Sequence, residues 1–198
     1  MLPKIIFKYS HIYDQNWQTW FRSYNKSPRK LSPQKVQYHI KAVEKVWRKC
    51  EKNILQELSK VTNLEWKEKE IICYVVGDCR PFSDPLTLAA YEDRGLFVDV
   101  LTHELIHQLF TQKGNYEKAK KSWKYIFSKY KNESHLTRVH IPLGAIHWYI
   151  YKKLFNEKRL ERDMTRVSFH SDYKKAWEIV EKDGYEKIIK KFSARIIK

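Results

Sequence analysis

Leu101-Thr102-His103-Glu104-Leu105-Ile106-His107-Gln108-Leu109 is the stretch that organises the rest of the chain. At 100° per residue on a helical wheel, His103 lies at 0°, His107 at about 40° and Glu104 at about 100°. Leu101, Leu105, Ile106, Leu109 and Phe110 fill the arc from about 160° to 340°. The segment therefore predicts a helix, about Phe97 to Phe110, with one apolar face and one face offering two imidazoles and a carboxylate. Two neutral imidazoles one turn apart can ligate a single Zn²⁺ at ~2.0–2.1 Å, while the intervening Glu reaches a water on the ion rather than the ion itself. With 8 His in the chain, the pattern would arise in roughly 0.02 of shuffled sequences. A surface helix with two solvated histidines fits poorly beside so apolar an opposite face.

His-Glu-x-x-His on such a helix resembles the zincin class of metallopeptidases. That resemblance implies a sheet with an active-site helix, a third ligand from a later element, an edge strand that binds substrate, and Glu104 as general base. The metzincin extension would require Gly at 110 and His at 113, where this chain has Phe110 and Lys113. Asn132-Glu133 is similar to the start of the ligand helix in thermolysin-like enzymes, which makes Glu133 one candidate for the third ligand. The leading candidate is His140, two residues before Pro142. A proline is most comfortable in a first helical turn, so His140 is expected at a helix N-terminus with Leu143, Ile146 and Ile150 packed inward. His135 and His147 remain open. His147 lies ~10.5 Å of helical rise beyond His140, too far to share its ion, and reads most simply as a core histidine. Tyr149, Tyr151 and Arg138 are candidate oxyanion donors. Asp99, one turn before His103, either orients that imidazole or complements the helix dipole.

Around this centre the pattern predicts one α+β domain over residues 1–198, helix-rich with a small mixed sheet. Ile5 to Tyr9 reads as a first strand, and Asn16 to Tyr24 as a short tryptophan-rich helix. Ser32 and Pro33 start a long helix running to about Lys60, its stripe formed by Val36, Ile40, Val43, Trp47, Ile54 and Leu58. Glu65 to Glu70 reads as linker. Ile71 to Val76 is a continuous apolar run, the form of a strand buried on both faces. Within Phe82 to Ala90, Pro85 and Leu86-Thr87-Leu88 suggest an edge strand, exposed over Leu86 to Leu88. Helices are expected over Tyr116–Tyr130 and Arg138–Phe155, and a tail from Asp172 to Ile197 breaks at Asp183-Gly184. The seven tryptophans read mainly as core.

The whole chain carries a net charge of +16. Its distribution is uneven: +9 over residues 1–50, −4 over 51–100, +5 over 101–150 and +6 over the remainder. Such a balance excludes an acidic disordered tail, and 15% aromatic residues exclude a disordered chain. The acidic residues Asp78, Asp84, Glu92, Asp93 and Asp99 are expected to form a patch favouring basic or neutral peptides. No apolar run approaches a membrane span and no secretory leader is evident, so the chain reads as cytoplasmic. Cys50, Cys73 and Cys79 form neither a zinc knuckle nor a redox pair. The expected activity is peptide hydrolysis on a peptide or protein substrate. The alternative is a basic nucleic-acid-associated protein whose zincin core acts on DNA-bound proteins or is inactive, and a purely structural zinc fold is a third reading.

Overall fold

A computed structural model describes residues 1–196. Among them are nine helices and a four-stranded mixed sheet, the α+β class expected. The chain divides into two compact units, Met1–Lys52 with Glu68–Gln108, and Asn53–Lys67 with Leu109–Lys198.

The first unit contains β1 (Lys4–Lys8), α1 (His11–Ser23), α2 (Pro33–Trp47), the start of α3 (Glu51–Thr62), β2 (Glu70–Val76), β3 (Phe82–Ser83), β4 (Leu86–Ala89) and most of α4 (Arg94–Thr111). The sheet order is β1-β2-β4-β3, with β1, β2 and β4 parallel and β3 antiparallel to β4. Side chains alternate across a strand, so the register sorts them. Ile5, Ile71, Cys73, Val75, Leu86 and Leu88 point to one face and are all buried. That face meets α2 and α4, with Phe7 5.8 Å from Phe97 of α4 and Phe97 5.5 Å from His39 of α2. The opposite face carries α1: Tyr13 bonds Thr87 Oγ1 at 3.0 Å and lies edge-on to Tyr74 at 5.4 Å, while Trp17 lies 5.6 Å from Phe82. Asp14 pins α1 to the end of β2, its carboxylate accepting the Gly77 N–H at 3.0 Å and the Tyr9 hydroxyl at 3.3 Å.

Three expectations here need correction. The long helix to Lys60 is two helices, broken at Arg48–Cys50. Arg48 there bonds Glu44, Glu51 and the Ile5 carbonyl, contacts that hold the turn against β1. Second, β2 is not buried on both faces throughout, because Ile72 is 39% exposed. Third, the edge strand lies elsewhere. Leu86 to Ala89 are all buried, since β4 runs between β2 and β3, and the edge on this side of the sheet is β3. Asp84-Pro85 makes the connection between β3 and β4, so the proline that suggested an edge belongs to the turn.

The second unit is helical, with the remainder of α3, then α5 (Asn115–Lys129), α6 (His135–Leu154), α7 (Glu157–Val167), α8 (Ser171–Asp183) and α9 (Tyr185–Ser193). Helix α6 is its axis. Gly144 faces α8, where a Cβ would meet Val180 Cγ2 at 3.5 Å and Trp177 at 3.7 Å, ordinary contact distances. Ile141, Ala145, Tyr151, Ala176, Trp177 and Val180 form the core around that contact. Phe110, Trp123 and Phe192 close a second aromatic cluster. Helix α7 had no counterpart in the sequence reading, and the tail breaks at Gly184 as expected, with Ile197 outside the described residues. No described helix is long and apolar enough to cross a membrane.

Candidate metal centre

Helix α4 begins where Asp93 Oδ1 accepts the N–H groups of Gly95 and Leu96, at 2.7 and 3.1 Å, satisfying donors that have no partner within the helix. Its apolar arc behaves as the wheel requires: Leu101, Leu105, Ile106 and Leu109 are fully buried. On the other face His103 and His107 are half-buried, their ring centroids 5.1 Å apart. Glu104 is buried on the same helix. Its charge acts on the sheet beneath: the Cys73 thiol is pushed well above its ordinary range, first by burial and then by Glu104, and Cys79 is raised chiefly by burial. Burial of this kind makes both thiols poor nucleophiles.

Gln108 ties this helix to the sheet, its Nε2 donating to the Ser83 carbonyl on β3. The glutamine directly after the motif thus holds the edge strand to the HExxH helix. Asp99 is buried in the second turn of α4, and the first turn has no acidic residue, so complementing the helix dipole is not its role. Its burial also removes it from the expected acidic patch. Asp78 is likewise engaged, accepting the Arg29 N–H at 2.9 Å, and Asp93 caps α4. Asp84 and Glu92 are what remains exposed and uncommitted to a cap.

In the second unit His140 sits on α6, but not at its N-terminus. Ser134 caps the helix, its Oγ accepting the Thr137 N–H at 3.0 Å, so Pro142 lies inside the helix and His140 in the second turn. The better capping residue set the start, and the proline is accommodated at the loss of one bond to the Arg138 carbonyl. His140 is buried, and its Nδ1 lies 2.8 Å from the Leu136 carbonyl. A carbonyl only accepts, so Nδ1 carries the proton and Nε2 presents the lone pair. Burial lowers the His140 pKa, favouring the neutral imidazole that a metal requires. One nitrogen each from His103, His107 and His140 lie within 4.8 Å of one another, near enough to hold a single metal ion.

The other candidates lie in different surroundings. Among the described residues, Glu133, His135 and His147 belong to no such group of three. His147 is buried with Nδ1 3.7 Å from Asp163, stacks on Tyr151 at 4.4 Å, and shares Asp163 with Arg166. Tyr149 donates to Glu57 at 2.6 Å, Tyr151 is fully buried, and Arg138 lies over Phe127 with its Nη1 on the Phe127 carbonyl. Sequence reasoning singled out neither Gln108 nor Tyr173, whose ring lies 4.4 Å from that of His140 with His170 behind it at 4.8 Å. Neither has a local signal, since both contacts arise from tertiary packing.

No protein-family model matches the chain, and no curated protein and no solved structure matches it.

Proposed function

We propose that this protein is a zinc-dependent metallopeptidase, with His103, His107 and His140 as ligands and Glu104 as general base. The observation that carries the reading is the three-imidazole group with a buried carboxylate next to one of its members. The donor set fits the ion: imidazole suits Zn²⁺, and three protein ligands correspond to a catalytic site, whereas structural zinc sites are closed by four. When bound, such an ion polarises a carbonyl and brings the pKa of water toward ~7.

The chain's own residues do the rest. His140, its proton fixed on Nδ1 by Leu136, presents Nε2 without a tautomer search. The Glu104 carboxylate takes a proton from the attacking water and passes it to the departing amine nitrogen. Its burial keeps competing bulk water from that carboxylate. Through Gln108, α4 fixes β3, the strand along which an extended peptide would add by main-chain hydrogen bonds. Glu104→Gln tests the role assigned here: bound zinc is retained while peptide hydrolysis falls by several orders of magnitude. Wild-type turnover in that variant would remove Glu104 as the base.

A further inference from the structure

Sheet register and the α1 aromatics together say what such a peptide should contain. Tyr74, Thr87 and Phe82 form one row across β2, β4 and β3, on the face covered by α1. Helix α1 runs along that row: Tyr13 covers Tyr74 and Thr87, and Trp17, one turn on, covers Phe82. One helical turn advances ~5.4 Å and one strand ~4.8 Å, so each further turn of α1 lies over one further strand. The next turn is Trp20 and Phe21, and beyond Phe82 the sheet has no further strand among the described residues. Trp20 packs on Trp17 at 5.5 Å, on Phe21 at 5.3 Å and on Tyr24 at 4.9 Å, and Tyr24 is 61% exposed. Tyr13, Asn16, Trp17 and Trp20 also line an open cavity of about 200 Å³, the size of a large side chain.

We infer that the overhanging aromatic turn of α1, centred on Trp17 and Trp20, is a specificity subsite for a large apolar side chain of an extended peptide added to β3. The inference rests on the peptidase reading for its occupant. Alternation fixes the register: the peptide residue across from Phe82 points to Trp17 and Trp20, and its neighbours point to the opposite face, the one that the register gives to Ser83 and Leu86. The substrate class is therefore a peptide carrying Phe, Trp or Leu at one fixed distance from the scissile bond. A nucleic acid strand stacks on such rings but cannot extend a ladder.

The test uses the full zinc-loaded chain and fluorescent octapeptides in which one position is Ala, Asp, Lys, Leu, Phe or Trp. Cleavage is read with the wild type and affinity with Glu104→Gln. Peptides with Leu, Phe or Trp should bind at least tenfold tighter than the Ala, Asp and Lys peptides. Trp20→Ala, at a half-buried position, should reduce that preference below threefold. Trp17→Phe, which preserves packing on Phe82, controls for a folding defect and should reduce the preference less. Cleavage of all peptides alike overturns the subsite while the peptidase reading stands. Trp20-dependent binding of aromatic peptides with no cleavage supports the subsite and removes the peptidase reading. Displacement of bound peptide by oligothymidylate, with loss of that binding in Trp20→Ala, would make the aromatics a base-stacking platform and overturn the inference.

Discussion

Helix α4 carries two histidines and α6 three, and they carry them for different reasons. On α4, His103 and His107 are one turn apart on the face opposite a buried leucine arc, so local periodicity alone brings them together. On α6, His140 and His147 also share a face, yet His140 presents a nitrogen to the α4 pair while His147 is held by Asp163 and Tyr151. Identical spacing logic applied to both helices thus identifies a site on one and a choice on the other. Burial and hydrogen-bond partners make that choice.

The contrast can be stressed by substitution. Leu105→Ala removes a fully buried side chain from the apolar arc of α4 and is expected to cost about 2–5 kcal/mol of unfolding free energy, read by denaturant titration. A cost below about 0.5 kcal/mol would mean that the arc does not anchor the motif. On α6, His147→Phe takes the imidazole from buried Asp163 while Arg166 remains. It should lower stability by about 1–3 kcal/mol and leave bound metal unchanged. Loss of metal from that variant would erase the distinction between His140 and His147.

The smallest expected effect concerns pH and the first unit alone. His39, packed on Phe97, has its pKa pushed down to about 4 by burial, with Arg29 and Arg94 adding to the shift. The unfolded chain takes up its proton near 6.5 and the folded chain does not, so between about 6.5 and 4 stability falls as pH falls. His39→Gln should flatten that part of the stability profile, by about 1 kcal/mol after allowance for partial exposure. An unchanged slope would show that His39 does not carry the dependence.

Much of this could be read from the residues in order, and what could not has a common cause. The α4 motif, the strand at Lys4–Lys8, the caps at Ser32 and the break at Gly184 are set by neighbours within a few positions. The α2–α3 break depends on Arg48 reaching the Ile5 carbonyl, the burial of β4 on a third strand beyond it, and the contact of Gln108 with Ser83 on a partner 25 positions away. Pro85 misled for the same reason, because a proline disfavours a central strand but does not say whether it lies in an edge or in a turn. Pro142 misled because Ser134 offered the helix an earlier start.

The most direct measurement is zinc per chain, by elemental analysis after dialysis, for the wild type, His140→Ala and Glu133→Gln, with circular dichroism confirming that each is folded. One zinc in the wild type and in Glu133→Gln, and none in folded His140→Ala, is the expected result. A full equivalent of zinc in folded His140→Ala would contradict the three-histidine centre.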